Sequence, residues 1–388
     1  MPLPGAKEYN GLGMKKSLPF RWMWSLLGTV SLIGGMAAAK EAVSCCVTGE
    51  VQHEVAREPQ MPGETEPVRN VIYMIGDGMG LEQISCAALV NGGQLHLLTL
   101  PHTALACTVS AAQTITDSAA AGTALACGCK TRNGCLGLNA AGEPQESLAE
   151  AAARRGMAVG LVVTSDITDA TPAAFYAKVE HRSRTAEIAA ALLRFRPQVV
   201  MGGGSAHFTP QQQESLREDG RLAELTAPGN LPAAVERKAS LPQDVQRALD
   251  HLAPCPNGFF LMVEGSQIDK AAHRGDLRGM IQELLEFDRA VGVALEFARR
   301  HPGTLLVITA DHQTAGLALL NGDAARGEVR AAFRTNEHSG TVVPVFAAGT
   351  RAAGAFRGYM QNTGVQQLIL RALPVQNTPD QPDMSQKS

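Results

Sequence analysis

Several short stretches place carboxylates, imidazoles and hydroxyls where they could work together on an anionic substrate. IGDGMG (75–80) sets Asp77 between glycines directly after an apolar run. VEGSQIDKAAH (263–273) ends another run with Glu264 and follows it with Asp269 and His273. On a helix, that i, i+4 spacing puts a carboxylate and an imidazole on one face, where both can hold a zinc ion. TADHQTAG (309–316) ends a third run with Asp311 and His312, and NEHSG (336–340) adds His338. Alone, GDG is ordinary turn chemistry and each histidine an ordinary surface or capping residue. Gathered at one edge, these seven acidic and imidazole groups would repel and desolvate one another unless cations neutralised them, which argues for metal.

A hydroxyl, a guanidinium and further carboxylates complete the set. In TITDSAAAGTALACG (114–128), Ser118 precedes a run of good helix formers. Its type supports two readings: an N-cap, or a nucleophile at a helix N-terminus, where free N–H groups and the dipole favour an anion. TSDITDATPAAFYAKVEHRSR (164–184) carries Asp169 and Thr171 before Pro172, then Arg182. Arginine's planar fork matches two phosphate oxygens, although Arg182 taken alone reads as a solvated helix end beside His181 and Arg184.

The elements that must position these residues follow from periodicity. Apolar runs at 70–76, 157–165, 198–204, 258–265, 304–311 and 341–349 alternate with amphipathic segments such as RTAEIAAALLRF and RGMIQELLEFDRAVGVALEFARR. Continuous aliphatic strands separated by helices predict a mostly parallel sheet covered on both faces, a three-layer α/β/α sandwich. Ligands of such sheets bind beyond the carboxyl ends of the strands.

The 388 residues, 45% of them apolar but only 4% aromatic, allow one large domain with an aliphatic core. A net charge of −3 makes no electrostatic case for nucleic acid or an anionic membrane as partner. Residues 1–39 read as a signal peptide, with translation from Met14: Lys15, Lys16 and Arg21 precede the apolar stretch 22–36 and the small residues Ala37, Ala38 and Ala39. An uncleaved anchor is the first alternative, although the run falls short of the ~20 residues a spanning helix needs. A lipid anchor at Cys45 in AVSC is the second, weakened by Ala42 and Lys40-Glu41. Each of these readings takes the protein out of the cytoplasm, to the periplasm or beyond. Residues 40–67 read as a polar linker, 68–374 as the catalytic domain and 375–388 as a disordered tail. Among eight cysteines, Cys127, Cys129 and Cys135 cluster, and export makes a loop-stapling disulfide ending at Cys135 an expectation.

GDGMG, TDSAAAGTALACG, DATPAA with its downstream arginine, VEGSQIDKAAH, TADH and HSG stand in the order found in the alkaline phosphatase family, which the chain resembles from about Val68 to Gly349. The resemblance implies that Ser118 is the nucleophile that becomes a phosphoserine. It implies one zinc on Asp269, His273 and His338, and a second on Asp77, Asp311 and His312. It places magnesium on Asp77, Thr171 and Glu264, with Asp169 touching it through water. Arg182 would clamp the phosphate, Lys270 would reach it through water, and the family's homodimer would be expected. The cofactors implied are two Zn2+ and one Mg2+ per chain, and the substrates small phosphate monoesters. The chain is short between His312 and His338, with room only for a hairpin, so a compact and open site is expected. Two rivals remain at this point: a phosphodiesterase, nucleotide pyrophosphatase or sulfatase on the same sandwich, and a non-catalytic binding scaffold.

Overall fold

The computed structural model describes residues 44–55 and 65–374. The signal segment 1–39 and the tail 375–388 lie outside the described residues. In chain order the strands are β1 (Ser44–Thr48), β2 (Asn70–Gly76), β3 (His102–Cys107), β4 (Ala158–Asp166), β5 (Val199–Gly203), β6 (Leu222–Leu225), β7 (Phe259–Gly265), β8 (Thr304–Ala310), β9 (Gln313–Thr314), β10 (Ala318–Asp323), β11 (Glu328–Ala332), β12 (His338–Ser339), β13 (Val343–Gly349) and β14 (Gly358–Gln361). The α-helices are α1 (Leu81–Val90), α2 (Ser118–Cys127), α3 (Leu148–Arg154), α4 (Ala170–Ala173), α5 (Thr185–Phe195), α6 (Pro210–Ser215), α7 (Leu241–Leu252), α8 (Gln267–His273), α9 (Leu277–Arg300) and α10 (Asn362–Ala372).

Nine strands form one sheet in the order β14-β3-β13-β8-β2-β7-β4-β5-β6. Every neighbouring pair is parallel except those that β13 makes with β3 and β8, so β13 alone runs against the rest. The central strands β7 and β8 are buried along their whole length, as continuous aliphatic runs covered on both faces must be. Helices α7, α8 and α1 pack on the long α9, while α2 packs with α3, α4 and α10, completing the α/β/α sandwich.

Two features bear directly on the site. All ten residues of α2 are buried, and its small side chains let it lie close to α4: a Cβ added to Gly122 would stand 3.3 Å from the Cα of Thr171. The segment between His312 and His338 folds into the short hairpin β10–β11 and the two-residue ribbon β9–β12, which pairs His338 with Thr314.

Within the span 40–67, β1 adds to the free edge of β11 and buries Val47. Cys45 stands opposite Ala331 in that strand and packs against the core.

Candidate active site and metal centres

Strand register assembles the first carboxylates. Gly76 pairs with Gly265 of β7 and with Ala310 of β8, so Asp77 and Asp311 leave adjacent strands at one level, and Glu264, level with Ile75, sits two residues below. The turn after Asp77 needs a glycine: Gly78 has φ +71° and donates its N–H to Asp311 Oδ1 at 3.0 Å. A Cβ there would meet Thr314 Oγ1 at 2.7 Å.

The serine joins this edge from α2. Asp117, not Ser118, is the N-cap: its Oδ1 accepts the Ala120 N–H at 2.9 Å, so Ser118 becomes the first helical residue. Freed from capping, the Ser118 hydroxyl lies 3.1 Å from His312 Nε2. That nitrogen also faces Asp311 Oδ2 at 3.1 Å and Asp77 Oδ1 at 3.5 Å.

A second triad abuts the first. His273 Nε2 is 3.2 Å from Asp269 Oδ1 and 3.1 Å from His338 Nε2. Both rings donate Nδ1–H to a backbone carbonyl, His338 to Thr116 at 2.9 Å and His273 to Asn336. When both rings are neutral, as metal ligands must be, the two Nε2 lone pairs would repel across 3.1 Å. A cation between them removes that repulsion, since two ligands of one tetrahedral zinc stand about 3.3 Å apart. The His312 and His338 rings stack at 3.5 Å, which joins the two triads.

The donor set fits metal on further grounds. Asp77 Oδ1, Asp311 Oδ2 and Thr171 Oγ1 are buried without an aligned hydrogen-bond partner, a costly state for isolated polar atoms. Asp77, Asp311 and His312 offer ligand atoms within 4.8 Å of one another, as do Asp269, His273 and His338. Burial, and then the neighbouring Asp311, Asp269 and Glu264 carboxylates, push Asp77 well above the ordinary carboxylate range. Burial likewise raises Glu264 to about 7, although Ser266 Oγ and Ser165 Oγ donate to it at 2.5 and 3.2 Å. Such a concentration of negative charge is the electrostatic signature of a cation site.

The cationic side is built around Asp169, whose carboxylate binds Lys270 Nζ at 2.6 Å and Arg182 Nη2 at 2.7 Å. Burial opposes its ionisation, but Lys270 and Arg182 outweigh it and hold the carboxyl at about 2. Arg182 Nη1 lies 3.6 Å from Asp117 Oδ2, so the guanidinium is tied to the residue that caps α2. The chain thus gathers Ser118, two acid–imidazole triads, an oxygen cluster and two fixed cations.

Comparison with known proteins decides what this assembly is. The alkaline phosphatase family matches residues 68–225 and 218–330. Alkaline phosphatase 4 of Bacillus subtilis is 34% identical over 355 residues, covering 80% of this chain and 74% of that protein. The chain belongs to the alkaline phosphatase family.

Solved structures agree. Alkaline phosphatase from the Antarctic bacterium TAB5 superposes with a TM-score of 0.73 at 30% identity, over 79% of this chain and 98% of that one. A variant of it with magnesium in a site termed M3 matches at 31% identity with a TM-score of 0.74, over the same shares. This alkaline phosphatase is accordingly a metal-dependent phosphate monoesterase. His338 lies beyond the matched residues and reaches the site through the β9–β12 ribbon.

Every site residue expected from the sequence lies at this edge, but the residues that orient them were not singled out. Thr314 donates to Asp269 Oδ1 at 2.5 Å and lies 3.3 Å from His312 Nδ1, linking both triads. Asp117 caps the helix, and Ser165 and Ser266 hold Glu264. Thr314 and Asp117 stand inside quoted motifs, where their neighbours' stronger chemistry drew the assignment. No disulfide joins Cys127, Cys129 and Cys135 in the structure. Their Sγ atoms turn to different carbonyls, those of Ala174, Leu138 and Val179 at 3.7, 4.0 and 3.8 Å.

Proposed function

We propose that this alkaline phosphatase transfers the phosphoryl group of a monoester to Ser118 and then to water, through a phosphoserine. The observation that carries the reading is the 3.1 Å approach of Ser118 Oγ to His312 Nε2, where the two triads meet. Asp269, His273 and His338 would hold one zinc, and Asp77, Asp311 and His312 a second. Asp77, Thr171 and Glu264 form an oxygen-only set suited to magnesium, with Asp169 reaching it through water. When bound, these ions supply Lewis acidity, which lowers the proton affinity of oxygen nucleophiles and neutralises phosphoryl charge.

The chain's own residues do the rest. Ser118 presents its oxygen from the first turn of α2, where unpaired N–H groups and the helix dipole favour the incoming anion. Attack of that oxygen on phosphorus forms the Ser118 O–P bond and breaks the bond to the alcohol, which leaves with a proton. Water then displaces Ser118 and releases inorganic phosphate. Arg182, anchored by Asp169, offers its fork to two phosphate oxygens, and Lys270 reaches the phosphate through water. Because phosphoryl transfer needs charge stabilisation more than covalent assistance, fixed cations at these positions matter more than an added acid or base.

The oxygen set favours this reading over a diesterase: Thr171 and Glu264 are both buried, and Thr171 Oγ1 has no aligned hydrogen-bond partner. Comparing turnover of p-nitrophenyl phosphate with that of its bis-ester is the test, and a preference for the diester would overturn the reading. We also infer export, from the basic and apolar pattern of residues 15–39, with mass spectrometry of the mature N-terminus to separate cleavage near Ala39 from lipidation at Cys45. A homodimer is the oligomer we expect. Leu105 and Tyr359, paired across β3 and β14, leave an exposed apolar patch at the edge of the sheet, and sedimentation reads the mass directly.

A further inference from the structure

A third cluster of nitrogen and oxygen ligands lies outside the catalytic centre. His53, His96 and Asp288 each offer a ligand atom within 4.8 Å of the other two. Asp288 is fully buried on α9. Its Oδ1 accepts the Leu97 N–H at 2.9 Å, and its Oδ2 accepts the His96 N–H at 2.8 Å and faces His53 Nε2 at 2.7 Å. The His53 and His96 rings are stacked, 5.2 Å apart and 12° from parallel.

Three observations mark this as a built site. The His53 side chain is only 9% exposed, and its Nδ1 is buried with no hydrogen-bond partner. Burying an imidazole nitrogen without a partner is costly, and the hydrogen bond that Nε2 makes to Asp288 does not relieve it. Gly292 lies one turn beyond Asp288, and a Cβ there would stand 2.7 Å from His96 Nε2, so the helix forgoes a side chain where the imidazole rests. The backbone carrying His53 is also fixed: Asn91 Oδ1 accepts the Gln52 and His53 N–H groups at 2.7 and 3.3 Å, and Asn91 Nδ2 donates to the His53 carbonyl at 3.2 Å. The neighbouring cation, Arg289, donates to Gln52 Oε1 at 3.2 Å.

We propose that His53, His96 and Asp288 bind a divalent transition-metal ion, zinc by the character of the donors, that pins the arm 44–55 to α9. Two imidazoles and one carboxylate are a common zinc set, and the two backbone N–H groups on Asp288 would orient the carboxylate as outer partners of a metal ligand do. The ion is structural, and none of these residues belongs to the phosphatase machinery.

The test is a zinc count by inductively coupled plasma mass spectrometry on the untagged full chain, equilibrated with zinc chloride and desalted. Wild type should carry about one zinc per chain more than His53→Ala, His96→Gln or Gly292→Ala, with monoester turnover kept within about twofold. Each count is a difference between chains with intact catalytic ligands, so it holds whatever number of ions the catalytic centre carries. Circular dichroism confirms that each variant is folded, and His53→Ala, on the arm, is the decisive one. Equal zinc in wild type and folded His53→Ala would overturn the proposal and leave a hydrogen-bonded latch.

Discussion

Ser118 Oγ stands 3.1 Å from His312 Nε2, joining the first turn of α2 to the end of β8 across 194 residues of sequence. The contact ties the proposed nucleophile to the His312 triad, while Asp117 caps the helix. Ser118→Ala should therefore cut monoester turnover by at least about a thousandfold while leaving zinc content unchanged. Turnover within tenfold of wild type would assign the nucleophile elsewhere.

Arg182 is held by Asp169 and approaches Asp117, and it contacts no residue of either triad directly. Arg182→Ala should weaken inhibition by inorganic phosphate about ten- to a hundredfold, the worth of one or two hydrogen bonds to a charged group. Metal content should be spared, and its loss would make the arginine a structural prop.

Gly78 and Gly142 both have positive φ, +71° and +85°, but a Cβ on Gly78 meets Thr314 and Asp269 whereas one on Gly142 meets nothing within 4 Å. Gly142→Ala should cost about 1–2 kcal/mol from backbone conformation alone. Gly78→Ala should cost more, and only it should release zinc, because it displaces the residues that bridge the triads. Thermal melts and metal counts on the two variants separate strain from site damage.

The zinc affinity of the Asp269, His273 and His338 site should rise with pH. In the metal-free chain the hydrogen bond to Asp269 raises His273 to about 9, against the effect of burial. A metal ligand must be neutral, so binding at pH 7 displaces a proton. Apparent affinity should then climb by about tenfold per pH unit between 7 and 9 and level off above. Titration against a competing chelator reads this, and a flat or falling profile would contradict the assignment of His273.

The site was legible in the sequence where a chemical residue follows a continuous apolar run. Asp77, Glu264 and Asp311 each sit at the end of a strand buried on both faces, and such runs are hard to mistake. The strands that went unread lack this signal. HTALAC of β3 alternates between exposed and buried residues, while LAEL of β6 and GYMQ of β14 are four-residue edge strands. The reversed direction of β13 is invisible in its composition, because an antiparallel strand in the middle of a sheet is as aliphatic as a parallel one. Burial of Val47 in β1 depended on a partner strand nearly three hundred residues away. Ser118 was found by its position before a helix, but which of Asp117 and Ser118 caps that helix is a matter of backbone angles that either residue type allows.

The account rests on a covalent phosphoserine at Ser118. The direct measurement is to incubate the zinc- and magnesium-loaded enzyme with phosphate monoester at acidic pH, quench in acid, digest, and locate the added phosphate by mass spectrometry. The expected result is a single phosphorylated site at Ser118, absent from Ser118→Ala. Phosphate on another residue, or none while turnover proceeds, would contradict the mechanism.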